Sequence, residues 1–450
     1  MRQLAGADGG SVNGATTPFW TKIAPTRGRA AAVSFVFACA VLRFVGVVIS
    51  AIHLNHGDFF ATLPGAYAEH WNLTLWDSPD LRESVAFHRH SYGYGPTQYV
   101  TLWPIVFLDS YRTIAAVLLP VYIVVFLAAP YALWRVGDAV VPDIKGSRWG
   151  RVMSVYASVL LFGPLLMALA QREFEVVQAL MIVLAGYAVV RGRPAAGGAI
   201  LGYVSMFKYW VLGLLGYFVL RRQWKAVMGF AIGAAAVLLL AHAVFDLGRF
   251  PFASATAFDR QFGRIYKPLE RRGAFCAEET GTAASVQSGV CAIVGGRSRA
   301  AEPMFYAILG AVGAAFLALF IRFERSGPMV DSFDERWRRL IEFCFFLIGA
   351  GIVFHAHYYY LSILILPLTM VLYRNVWRPG GGANIRVGLG LLAYAALSAF
   401  VAPTAVLSRV TGVDVWSFYL SHGVYVYGYV ALVALLFWEY SMLLAREVSS

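Results

Sequence analysis

Residues 30–52 read AAAVSFVFACAVLRFVGVVISAI, and the chain continues His53-Leu54-Asn55-His56-Gly57-Asp58-Phe59-Phe60. The first stretch is an apolar run broken by a single charge, Arg43. About 20 such residues cross a hydrocarbon core as a helix. The run is continuous rather than alternating, which argues against a membrane β-barrel. Arg2, Lys22, Arg27 and Arg29 precede it, so the N-terminus is expected in the cytoplasm. Asp58 is the first acidic residue after the run and is expected at the opposite membrane surface. A charge inside a span, here Arg43, calls for a partner or a water-filled cavity.

The same pattern recurs along the chain. Of 450 residues, 59% are hydrophobic and 14% charged, and mean hydropathy is +0.63, which puts most of the mass in the bilayer. The expected fold is an all-α polytopic membrane protein of about 11–13 transmembrane helices, with juxtamembrane helices on the outer face. Residues 1–29 read as a disordered cytoplasmic N-terminus and residues 30–450 as one transmembrane domain. The net charge of +12 would suggest a nucleic-acid partner in a soluble chain. Here the basic residues sit in short loops between apolar runs, and no basic stripe is interleaved with aromatics, so nucleic acid is not expected.

Charge parity orders the spans. Residues 53–96 and 247–301 are expected as outer loops, the first with short amphipathic helices near 59–71 and 79–89. Residues 97–108 are apolar but short, and read as re-entrant or interfacial. Spans at about 112–135, 152–170 and the run ending at Arg191 follow. The run 196–220 is interrupted by Lys208 and reads as two half-helices. Spans at 225–246, 303–322, the pair 339–354 and 358–373, then 386–407 and 419–444 leave the C-terminus inside. Every strongly basic short loop then falls on one side. Asp58, Gln171, Arg172, Glu173, Lys208, His355 and His357 fall on the other. Cys276 and Cys291 share the second outer loop, where a disulfide is an open alternative. No Cys/His metal spacing is present.

A carboxylate, a lysine, an arginine and two histidines at one membrane face suit attack by a hydroxyl on a sugar carbon with a lipid phosphate leaving. The hydroxyl needs a general base, and the departing phosphate needs cations and hydrogen-bond donors. Plainer readings stand beside this one. Asp58 could cap the helix that follows it, Lys208 could snorkel to the interface, and His355 and His357 could bond to backbone. Arg172 could pair with Glu173. Tyr358-Tyr359-Tyr360 reads as an interfacial aromatic belt, and so do Tyr92 and Tyr94, although aromatic faces also stack on sugars. A transporter or flippase of a lipid-linked saccharide would also accommodate a broken helix at Lys208 and a buried Arg43. A non-catalytic membrane scaffold is a third reading.

Four stretches give the chain a resemblance to a known family. They are Gly57-Asp58-Phe59; Tyr92-Gly93-Tyr94-Gly95-Pro96; the region from Gln171 through Arg191-Gly192-Arg193 and Phe207-Lys208-Tyr209 to Arg221-Arg222-Gln223-Trp224; and His355-Ala356-His357-Tyr358 with Leu366-Pro367-Leu368. In this order they resemble the GT-C superfamily, and within it glycosyltransferase family 87, which includes polyprenyl-phosphate-mannose-dependent mannosyltransferases. Ala170-Gln171-Arg172-Glu173 departs from the family's Gly-Gln-x-Asn. Lys208-Tyr209-Trp210-Val211 departs from its Lys-x-x-Pro, and His-x-His replaces adjacent histidines.

The resemblance implies a GT-C-like bundle, with Asp58 as general base and Lys208, His355, His357 and Arg172 around the donor phosphate. Glu69, Tyr92, Tyr94, Gln171 and Glu173 would touch acceptor or sugar. It implies a polyprenyl-phosphate-sugar donor with mannose as the first candidate, a glycolipid or glycan acceptor, surrounding membrane lipids, and no cofactor or metal. The expected location is a bacterial inner membrane, with the active site on the extracytoplasmic face.

Overall fold

In lipid, backbone polar groups must be satisfied internally, and the apolar runs of this chain do so as helices. The computed structural model describes residues 27–53, 97, 100–101, 111–142, 147–244, 275–276, 284–326, 332–353, 357–378, 385–399 and 404–449. The expected disorder at the N-terminus and the expected helices at 59–71 and 79–89 lie outside the described residues, as does most of 97–108.

The described helices are α1 (Arg27–His53), α2 (Tyr111–Val140), α3 (Arg148–Leu160), α4 (Gly163–Ala170), α5 (Glu175–Val190) and α6 (Pro194–Ser205). A 3₁₀ segment, Tyr209–Leu214, then leads into α7 (Leu215–Leu220) and α8 (Trp224–Val244). After α9 (Val286–Ile293) come α10 (Ser298–Ser326) and α11 (Ser332–Gly351). A second 3₁₀ segment, Tyr358–Leu364, runs into α12 (Ile365–Trp377). The chain closes with α13 (Ile385–Leu397), α14 (Thr404–Thr411), α15 (Val415–Ser421) and α16 (Val424–Ser449).

Among the described residues, six helices are long and apolar enough to cross a membrane, and seven if α3 and α4, bent by 62°, are counted as one broken span. The chain is thus an all-α, multi-pass membrane protein. Several of the other spans expected from sequence fold as shorter apolar helices, at Glu175–Val190, Tyr209–Leu220 and Ile385–Leu397. Of these, Glu175–Val190 is largely buried among other helices, whereas Ile385–Leu397 keeps Ile385, Leu391 and Leu392 exposed. The expected span 386–407 ends at Leu397, where Ala399 takes a left-handed backbone conformation at φ 51°. Likewise 419–444 divides at Gly423, φ 59°, between α15 and α16.

Helix α1 turns large apolar side chains outward, Phe35 and Leu42 being more than two-thirds exposed, as a lipid-facing helix does. The segment Tyr358–Trp377 sits at the centre of the packed core. Helices α6 and α8 approach through small residues. A Cβ on Gly198 or Gly202 would strike the carbonyl oxygens of Ala226 and Phe230. One on Gly229 or Gly233 would strike those of Ala195 and Ala199. Arg43 has its partner at the α3–α4 bend, donating from Nη1 to the Leu161 carbonyl at 3.0 Å. A cation there complements the negative end of α3.

Ion pairs bind one end of the bundle. Arg374 reaches Asp334 at 2.5 Å and the Val140 carbonyl at 2.8 Å, Arg386 meets Glu439 at 3.1 Å, and Arg221 grips Glu342. The opposite end carries Lys208. The Cys276–Cys291 disulfide lies at that end too, because α9 docks on the exit of α11. Val286 and Gln287 donate backbone N–H groups to Ile352 and Val353, at 2.9 and 3.2 Å. Thr97 donates its hydroxyl to the Tyr203 carbonyl at 2.6 Å, near the Lys208 end of α6. Helix α2 runs away from that end toward the Val140–Arg374 contact. Thr97 and the start of α2 thus both lie toward the Lys208 end of the bundle.

Candidate functional site

Lys208 is the lone charge between Ala196 and Leu220, and the chain bends around it. Helix α6 stops at Ser205, Lys208 is extended (φ −132°, ψ 116°), and a 3₁₀ segment follows. The two half-helices expected from sequence are present. The lysine is 2% exposed, so its ammonium needs a buried partner. It pairs with Glu175, which is fully buried at the first residue of α5. The ammonium also lies 3.1 Å from the centroid of the Tyr360 ring, with Phe207 at 5.1 Å and Tyr359 at 5.8 Å. Desolvating both charges costs several kcal/mol per ion, offset by the pair's attraction and the aromatic faces.

His357 shares that aromatic wall. Its ring stacks on Tyr359 at 5.5 Å and 9°, and stands edge-on to Tyr360 at 5.4 Å. Tyr358 and Tyr359 are buried, and Tyr360 is half-buried under the lysine. The interfacial belt expected for these three tyrosines is thus not what they form. They are walls of the site, because residues some 150 positions upstream pack against them.

The turn between α4 and α5 supplies the rest. Gln171 ends α4, its backbone N–H bonding to the Met167 carbonyl at 2.9 Å. Arg172 follows in the left-handed region, φ 55°, which a side chain with a Cβ rarely adopts. That conformation directs its buried guanidinium to the last turn of α1, where Nη2 donates to the Ala51 carbonyl at 2.8 Å. Glu173 is buried at 2% exposure. Tyr122 of α2 lies close to both Glu173 and Glu175. Arg172 and Glu173 thus reach different elements, and Arg172 anchors the helix that leads into Asp58. Asp58 is seven positions beyond Ala51, an extended reach of at most about 25 Å.

The structure brings Lys208, Glu175 and His357 to one aromatic wall, while Gln171, Arg172 and Glu173 lie on the turn that leads into Glu175, with Arg172 directed to Ala51. Asp58, Glu69, Tyr92, Tyr94 and His355 lie outside the described residues. Glu175 is not among the residues the sequence marks for the site, and Tyr359 and Tyr360 read there as a belt rather than as a wall. Glu175 had a usable signal, an acidic residue at the start of an apolar helix in a chain with one lysine breaking another. An ammonium held against an aromatic wall that also carries a histidine can receive a phosphate group. The two neighbouring carboxylates can orient those cations or accept hydroxyl hydrogen bonds.

No curated protein and no solved structure matches the chain. The model of Glycosyltransferase family 87 matches residues 92–333. That span contains Tyr92, Tyr94, the Gln171–Glu175 turn and Lys208, and it leaves out Asp58, Glu69, His355 and His357. It takes in more than half of the chain, which therefore belongs to glycosyltransferase family 87 and is a membrane glycosyltransferase.

Proposed function

We propose that the protein transfers a sugar, mannose as the first candidate, from a polyprenyl-phosphate donor to a hydroxyl of a glycolipid or polysaccharide. The acceptor oxygen attacks the anomeric carbon and Asp58 takes its proton. The bond from that carbon to the phosphate oxygen breaks, and the electron pair leaves with the phosphate. One displacement inverts the anomeric centre. Lys208, Arg172, His357 and His355 meet the charge that develops on the leaving group, where preorganised donors contribute most. Glu69, Glu173, Gln171, Tyr92 and Tyr94 serve the acceptor and the sugar. No metal or other cofactor takes part.

The buried Lys208–Glu175 pair against Tyr360 carries this reading. A membrane protein keeps such a pair at a cost, and intramembrane ionisable residues mark function by default. The Cys276–Cys291 disulfide at the same end supports an oxidising, extracytoplasmic face there, and the location we propose is a bacterial inner membrane with both termini in the cytoplasm. Purified protein in lipid should convert labelled polyprenyl-phosphate-mannose and a glycolipid acceptor into an inverted glycoside. Failure with mannose but success with another polyprenyl-phosphate sugar would correct the sugar alone. Failure with every such donor would remove the proposal.

A further inference from the structure

At the end of the bundle opposite Lys208, the turns after α5 and α7 face the ends of α10 and α11 across a cavity of about 570 Å³. Its polar wall is Arg221, Gln223, Glu324, Glu335, Arg338 and Arg339. Glu175 and Val189 lie at opposite ends of α5, about 21 Å apart at 1.5 Å per residue. The cavity is therefore distinct from the site described above.

The carboxylates of the wall are already engaged. Glu335 meets Arg338 at 2.7 Å and Arg339 at 2.8 Å, and Glu324 meets Arg221, with Arg338 at 3.9 Å. Arg221 also holds the buried Glu342, which accepts a further bond from the Tyr440 hydroxyl at 2.6 Å. Guanidinium donors are left over. Among the described residues Arg339 bonds only through Nε, and the Nε of Arg338, a residue 6% exposed, has no hydrogen-bond partner. The turns 191–194 and 221–225 carry Arg191, Arg193, Arg222 and Lys225, all exposed, and no acidic residue. Exposed Arg325 stands at the end of α10.

Surplus guanidinium N–H groups in a cavity, under a cationic rim, match the oxygens of a phosphate ester, which arginine forks bind in bidentate fashion. Basic pockets between helices at a membrane surface take anionic lipid headgroups. We propose that this cavity binds the phosphate of an anionic phospholipid headgroup. The bound headgroup bridges the α5–α6 turn, the α7–α8 turn, α10 and α11, and so holds the end of the bundle remote from Lys208.

The test is thermal unfolding of the full chain in neutral detergent, titrated with dioctanoyl phosphatidylglycerol, dioctanoyl phosphatidylcholine, or inorganic phosphate. Phosphatidylglycerol should give a saturable rise of roughly 3 °C or more in the midpoint, and phosphatidylcholine none. A rise with inorganic phosphate as well would show that the phosphate alone is recognised. A rise confined to the lipid would show that its glyceride is needed too. Arg339→Gln should weaken the lipid response about tenfold or more, the value of a charge-assisted hydrogen bond. Arg339→Lys, which keeps the charge and its pairing with Glu335, protects the test against misfolding and should weaken it several-fold. Equal responses to the two lipids, or unchanged responses in both variants, would overturn the proposal.

Discussion

Lys208→Met and Glu175→Leu, made singly and together, separate what the buried pair does for the fold from what the lysine does for the reaction. Glu175 is fully buried and Lys208 nearly so, so either single variant leaves one charge without its counter-ion. Removing one partner of a buried pair costs about 3–5 kcal/mol, whereas replacing both by apolar residues of similar size is near neutral. The ammonium at 3.1 Å from the Tyr360 centroid adds about 2 kcal/mol that only Lys208→Met forfeits. Denaturant unfolding in mixed micelles should therefore show two unstable singles and a double variant within about 2 kcal/mol of the parent, a coupling of 3 kcal/mol or more. Sugar transfer should behave differently. If Lys208 meets the leaving phosphate, the well-folded double variant should still lose roughly 100- to 1000-fold in turnover. A double variant that transfers sugar within a few-fold of the parent would refute the lysine's role at the phosphate. Single variants that cost under about 1 kcal/mol, the value of an exposed pair, would refute the buried-pair account itself.

Gly202→Ala should destabilise the α6–α8 contact by about 1–3 kcal/mol, since its Cβ meets the Phe230 carbonyl oxygen and neither backbone can yield easily; the unfolding midpoint reads this. Cys291→Ser opens a disulfide whose cysteines are 15 residues apart and should cost about 3 kcal/mol, seen as faster proteolysis near α9 with the helical bundle intact. Transfer should survive EDTA unchanged, because protein cations meet the phosphate in the proposed reaction; loss restored by a divalent ion would contradict that.

The helical architecture was legible because apolar runs and basic loops carry their information locally. Lys208 stood out as the only charge in its run, and the break in the helix falls there. Parity groups Arg172, Glu173, Lys208 and His357 at one end; Lys208 and His357 meet there on the Tyr359–Tyr360 wall, and Arg172 reaches instead to Ala51 at the last turn of α1. What sequence reading missed depends on distant partners. Tyr360 faces the lysine only because its segment packs at the centre of the bundle. Helix ends were misplaced where a left-handed residue intervened without a glycine to mark it, as at Ala399. The small-residue seam of α6 and α8 was written as Gly198-x-x-x-Gly202 and Gly229-x-x-x-Gly233, yet becomes informative only once the two helices are seen to face each other.

The most direct measurement is single-turnover transfer from labelled polyprenyl-phosphate-mannose by the parent and by Asp58→Asn, with donor binding measured on both. Asparagine keeps the shape of the side chain and removes its basicity. The account predicts that donor binding is retained while transfer falls by roughly 100-fold or more, the contribution of a positioned general base. Transfer at the parental rate would place the base elsewhere and contradict the account.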